Sequence, residues 1–108
     1  MVYVDDMRMY AQVGRLRALW SHLTADTTEE LHAFAQRLGM KRAWFQPAKV
    51  FADTSRNRER GVVGQPAWGS RDHYDVTDSK RDEAIRLGAV ACRWGCEPWR
   101  EHGYELDD

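Results

Sequence analysis

The stretch from Thr27 to Gly39 constrains the fold more than any other part of the chain. Leu31, Phe34, Ala35 and Leu38 recur at i, i+3, i+4 and i+7, so one apolar stripe of helical period predicts a helix from about Thr28 to Leu38. Its borders are marked as well. Asp26 or Thr27 can cap the start, Thr27 with Glu30 fits a capping box, Glu29 and Glu30 suit the positive end of the helix dipole, and Gly39 offers a left-handed exit.

A second helix is predicted from about Asp78 to Leu87, with Thr77 or Asp78 as cap and Gly88 as terminator. The runs Ala35-Gln36-Arg37-Leu38-Gly39 and Ala84-Ile85-Arg86-Leu87-Gly88 echo each other, which ordinary C-capping before a strand explains as well as duplication does. Strands are read at Val2-Tyr3-Val4, at Ala18 to Thr24, at Ala43-Trp44-Phe45 and at Ala89 to Trp94. An irregular stretch around Gly14 separates the first two. In the second strand, alternation puts His22 on the same face as Trp20.

The resulting order, β-β-α-β-loop-α-β, predicts a small α/β domain in two or three layers. It has a mainly parallel sheet of about four strands, two main helices and a right-handed crossover. Residues 1–96 form that single domain, with an inserted loop at about Pro47 to Ser70 and a charged tail from Glu97 to Asp108. The loop carries Pro47, Pro66 and the basic run Arg56-Asn57-Arg58-Glu59-Arg60, and its length predicts a lid or a disordered tip, disorder being favoured for its middle. Trp68 is expected to pin its far end.

Composition narrows the function classes. With 108 residues, 43% of them hydrophobic, the chain can build a core without metals or disulfides. Its formal charge of -1 gives no overall field for nucleic acid or anionic membrane, so nucleic acid is not favoured as a partner. No apolar run approaches the roughly 18 residues of a membrane helix, and Met1 to Tyr10 lacks the basic and apolar regions of a signal peptide. A cytoplasmic location is therefore expected, with Cys92 and Cys96 reduced.

In an open parallel sheet, ligands settle outside the carboxyl ends of the strands. That rule gathers Asp5 and Asp6 after the first strand, Asp26 after the second, His22 just before it, and His73, Tyr74 and Asp75 ahead of the second helix. Asp5, Asp6, His22, His73 and Asp75 are thus candidate catalytic groups, and Asp5, Asp6 and Asp26 candidate ligands for Mg²⁺, Mn²⁺ or Zn²⁺. Each has a plainer reading: Asp26 as a helix cap, Asp5-Asp6 as the end of a strand, His22 as a satisfied core histidine, and His73 to Asp75 as a polar lead-in. Ser79-Lys80-Arg81 places two cations in a first helical turn, where the macrodipole opposes them, so these three residues are candidate phosphate ligands. The plainer account is neutralisation by Asp78 and Asp82. Cys92 to Cys96 with His102 lacks zinc-ribbon spacing and reads as structural thiols, and phosphate loops, nucleophile elbows and dinucleotide fingerprints are absent from the sequence.

Several segments together resemble the small bacterial and phage proteins grouped as domain of unknown function 4031. These are Val2-Tyr3-Val4-Asp5-Asp6, Trp20-Ser21-His22-Leu23 with Ala25-Asp26, Glu30-Leu31 with Leu38-Gly39, Trp44-Phe45-Gln46, and His73-Tyr74-Asp75 through Ser79-Lys80-Arg81 to Gly88-Ala89. The resemblance runs from Val2 to about Trp94. It implies no activity and carries over no catalytic residue. Members pass more directly from the Trp-Phe-Gln segment to the His-Tyr-Asp segment, so Pro47 to Ser70 reads as an elaboration. The leading expectation is a domain that binds a phosphate-bearing, nucleotide-like ligand, with metal-assisted phosphoester hydrolysis as its chemistry. The alternatives are a module that sequesters a nucleotide without catalysis, and a protein-interaction domain presenting residues 50–69 with Phe51 and Trp68.

Overall fold

The computed structural model describes residues 1–65 and 71–94. The chain runs through β1 (Val2–Val4), β2 (Met9–Val13), β3 (Leu16–Ala25), α1 (Thr28–Arg37), a 3-10 turn (Arg42–Trp44), α2 (Ser55–Arg60), β4 (Tyr74–Thr77), α3 (Asp78–Arg86) and β5 (Val90–Ala91).

The spine is β3. Its first half pairs antiparallel with β2, from Val13↔Leu16 to Met9↔Trp20, and its last residues pair antiparallel with β1, from Val4↔Leu23 to Val2↔Ala25. Because β4 pairs with the middle of β3, Trp20↔Thr77 to Leu23↔Tyr74, β1 and β2 share one edge of β3 and β4 takes the other. Only β5 is parallel, beside β1. The sheet is thus mostly antiparallel, not mainly parallel, and has five strands among the described residues.

Two local features account for that correction. Gly14, with φ +62°, sits at the first central position of a two-residue connection, as a type II′ hairpin turn favours, and folds β2 back on β3 where the sequence suggested irregular chain. Ala43-Trp44-Phe45 is not a strand. Arg42–Trp44 forms the 3-10 turn, and Trp44 stands half in solvent with the Lys41 ammonium 5.7 Å from its ring centre. Among the described residues, no parallel crossover strand therefore directly follows α1. The chain rejoins the sheet through the antiparallel bridge Gln46↔His73 and then β4.

The predicted helices are present almost to the residue. Thr27 Oγ1 accepts the Glu30 N–H at 3.2 Å, and Thr77 Oγ1 the Lys80 N–H at 3.3 Å. Gly39 and Gly88 follow the two helices with positive φ. α1 and α3 both cover one face of the sheet, where Val2, Val4, Leu23, Ala25, Tyr74 and Val76 meet Leu31, Phe34, Ala35, Leu38 and Ala84. Truncating a buried leucine here to alanine would cost about 2–5 kcal/mol. The middle of the predicted loop is a capped helix: Thr54 Oγ1 accepts the Asn57 N–H, Gly61 ends α2 at φ +69°, and Phe51 packs on Val62. Trp68, Cys96, His102 and the expected tail lie outside the described residues.

Candidate metal centre on the helix-free face

Alternation along β3 and β4 turns Trp20, His22, Thr24 and Asp75 to the face away from the helices. Between β1 and β2, residues 5–8 leave the ladder. Asp5 takes over its hydrogen bonds. The Asp5 N–H still donates to the His22 carbonyl at 3.0 Å, but the returning bond comes from the side chain, whose Oδ1 accepts the His22 N–H at 2.9 Å and the Met7 N–H at 3.1 Å. Asp5 Oδ2 lies 2.7 Å from His22 Nδ1, and the residue is wholly buried. Arg8 closes the break in a left-handed conformation, φ +47°, held by its N–H to Ser21 Oγ and by two hydrogen bonds from its guanidinium to Asp78. A non-glycine residue in that region costs about 1–3 kcal/mol and persists only where surrounding bonds fix it.

With its Nδ1 proton given to the Asp5 carboxylate, a neutral His22 carries its lone pair on Nε2. His73 is arranged in the same way. Its Nδ1 lies 2.6 Å from the Arg71 carbonyl, an acceptor only, so Nδ1 holds the proton and Nε2 the lone pair. Burial holds the His73 imidazole below its usual pKa, only partly offset by that carbonyl, and a charge on His22 would depress it further. Asp75 pairs with His22 in the register and lies beside both rings. Its Oδ2 accepts the Gln46 Nε2–H at 2.6 Å, while Oδ1 is 3.6 Å from His73 Nε2 and 4.0 Å from His22 Nε2.

The ligand atoms of His22, His73 and Asp75 all fall within 4.8 Å of one another. A tetrahedral ion with bonds of about 2.0–2.1 Å would set its ligand atoms about 3.3–3.5 Å apart, so small side-chain movements would suffice. Every one of the three is aimed by a partner behind it: Asp5 behind His22, the Arg71 carbonyl behind His73 and Gln46 behind Asp75. Trp94 stacks on His22 at 4.8 Å between ring centres, and Asp6 Oδ1 braces it by accepting the Trp94 N–H at 2.8 Å.

Of the candidates named from sequence, the structure brings together Asp5, His22, His73 and Asp75. Asp6 is exposed and, among the described residues, reaches the cluster through Trp94. Asp26 is at the far end of the sheet, bonded to the Tyr3 hydroxyl and the Met1 ammonium. It does not cap α1, a role Thr27 fills. Ser79, Lys80 and Arg81 do not converge. Ser79 is exposed, Lys80 Nζ donates to the Leu38 carbonyl at 2.6 Å, and Arg81 Nε donates to the Asp5 carbonyl at 2.7 Å. The misplaced cation of α3 is thereby explained, since Lys80 serves the negative carboxyl end of α1. Gln46 and Arg71 were not legible as site residues. The antiparallel bridge between Gln46 and His73, which positions the glutamine, leaves no local signature.

A family model described as "Protein of unknown function (DUF4031)" matches residues 2–97. No curated protein and no solved structure matches the chain.

Proposed function

We propose that this chain, which belongs to the DUF4031 family, binds one divalent metal ion through His22, His73 and Asp75 and uses it to hydrolyse a phosphoester. The observation that carries the reading is the outer set of partners. Each of the three ligands is oriented by its own hydrogen bond, two of them with the imidazole proton on the outer nitrogen, which is the arrangement metal-binding histidines adopt. Two imidazoles and a carboxylate favour Zn²⁺ or Mn²⁺ over Mg²⁺, which prefers oxygen ligands and water. Three protein ligands leave at least one position for water or substrate. A divalent ion held by these three residues would supply Lewis acidity: it would make water more acidic at neutral pH and so favour hydrolysis of a P–O ester bond, one product taking the hydroxyl of water and the departing alcohol its proton. The residues supply orientation: Asp5 and the Arg71 carbonyl fix the two rings, and Trp94 shields one side of His22.

The first test is titration of the purified chain with Zn²⁺ and Mn²⁺ by calorimetry. One ion per chain is expected, lost in His73→Ala and in Asp75→Asn; no uptake by the wild type, or full uptake by both variants, overturns the reading. Hydrolysis of bis(p-nitrophenyl) phosphate by the loaded protein, abolished by EDTA and restored by the metal, tests the chemistry. Metal binding with the phosphoester left intact would sink the hydrolytic part.

A further inference from the structure

The hairpin of β2 and β3 extends the helix-free face beyond the centre. Register places Met9 beside Trp20, Ala11 beside Ala18 and Val13 beside Leu16, all on the same face as His22. Trp20 is the unusual member. Its Nε1–H donates to the backbone carbonyl of Ala11 at 2.9 Å, so the indole leans along the hairpin and lies down at backbone level. The small side chains of Ala11 and Ala18 make room for it. The ring is half-buried, and no other ring of the described residues stacks on it. Met9, 53% exposed, flanks it on the neighbouring strand.

We infer that this flat indole is the platform for the nucleobase of a nucleoside monophosphate whose phosphate reaches the His22, His73 and Asp75 centre. The inference rests on the metal-centre reading and adds the substrate class to it. The Cα atoms of Trp20 and His22 are one two-residue step of a strand apart, about 6.8 Å, and the indole leans from there toward Ala11, away from His22. The platform thus stands a little farther from the centre than that step, within the reach of a whole nucleotide from the outer edge of its base across the sugar to the 5′ phosphate. Aromatic stacking suits any base, because every base presents a π face, and the polarizable Met9 thioether can flank the stacked ring. Size argues for a small occupant rather than a second copy of the chain. Five residues on each of two strands give a face of about 17 by 10 Å, far below the roughly 800 Å² per partner of a stable interface.

The test compares adenosine 5′-monophosphate with ribose 5-phosphate on the metal-loaded full chain by calorimetry. The nucleotide is expected to bind about ten- to a hundredfold tighter, the worth of one stacked base. Trp20→Ala is expected to bring the nucleotide down to the sugar phosphate while leaving metal uptake and ribose 5-phosphate affinity unchanged. Trp20→Phe should keep most of the difference. Equal affinities in the wild type, or a difference that survives Trp20→Ala, overturn the inference while the metal centre stands. Failure of the wild type to take up Zn²⁺ or Mn²⁺ overturns the centre itself. Binding of a single-stranded oligonucleotide with none of the mononucleotide also overturns the inference and points to a longer track along the hairpin.

Discussion

Asp5 and Asp26 look alike in the sequence, each a carboxylate just past the end of a strand, yet they live in opposite environments. Asp5 is wholly buried and accepts from two backbone N–H groups, and its other oxygen meets the His22 imidazole. Asp26 is exposed at the other end of the sheet, beside Tyr3 and the Met1 ammonium. The register Val2↔Ala25 and Val4↔Leu23 explains the divergence. In a parallel sheet the carboxyl ends of two strands share one rim; in an antiparallel pair they face opposite ways. The grouping rule was sound for the topology it assumed, and the topology decided which aspartate could join a site.

The largest effect expected from breaking the comparison is on stability. Asp5→Ala leaves the His22 N–H, the Met7 N–H and the His22 ring without their acceptor in a dry place, which should cost about 3–5 kcal/mol, a large share of a small domain's stability. Urea unfolding measures it. Asp26→Ala, in solvent, should shift the midpoint only slightly. Equal losses in the two variants would mean that the burial difference has no energetic content.

A milder change separates the fold from the site. Asp5→Asn keeps an oxygen for the two backbone N–H groups but can turn its NH₂ toward His22 Nδ1, which then favours the tautomer with its proton on Nε2. Metal affinity should fall about 10- to 100-fold, the usual cost of losing such an outer partner, while the far-UV spectrum is unchanged. Asp26→Asn should bind metal as the wild type does. Calorimetric titration of both decides it, and an Asp5→Asn chain of native affinity would remove Asp5 from the site.

How much of this was legible follows the range of the signal. The caps and exits of α1 and α3 are local chemistry, Thr27 to Glu30 and Thr77 to Lys80 lying three residues apart, and the sequence states them outright. The stripe of Leu31, Phe34, Ala35 and Leu38 likewise names the buried face. β2 escaped because Met9, Tyr10, Gln12 and Val13 are all exposed, so neither face of the hairpin imposes an apolar alternation. Trp44 and Phe45 misled in the other direction, being apolar and aromatic without being strand. The placing of Asp75 across from His22, and of Gln46 behind it, depends on two long-range antiparallel pairings. His22 and Trp20 on one face could be read; their partner could not.

Acid sensitivity gives a finer comparison, beginning with a histidine. His32 Nδ1 is 2.7 Å from the Tyr74 hydroxyl, and desolvation, with Arg42 nearby, holds its pKa below the usual value against the weaker pull of Asp72 and Glu29. A histidine depressed in the folded state binds its proton more readily when unfolded. Its contribution is therefore complete above about pH 6.5 and is lost as pH falls from there toward the folded value. His32→Gln should flatten the fall in melting temperature between about pH 6.5 and 5, read as the difference from wild type so that other groups cancel. Parallel curves would show that His32 is as easily protonated in the fold as out of it.

The smallest effect belongs to Asp26 itself, and its window is lower. The Met1 ammonium, then the Tyr3 hydroxyl, hold the Asp26 carboxyl below its ordinary value, so the folded state favours the ionised form. The sign is the reverse of the histidine case in its cause and the same in its direction. Stability from Asp26 is present above about pH 4 and disappears as pH falls through the folded value. Exposure to solvent screens the pair, so Asp26→Asn should lower the melting temperature only slightly, above about pH 4 and more at low salt than at high, the difference from wild type vanishing as acid protonates the carboxyl. Melting temperatures at pH 3 and pH 6, each in dilute buffer and in about 1 M salt, resolve this. A difference between Asp26→Asn and wild type that persists unchanged in high salt would contradict a solvent-screened pair. It would place the two aspartates closer in kind than their burial implies.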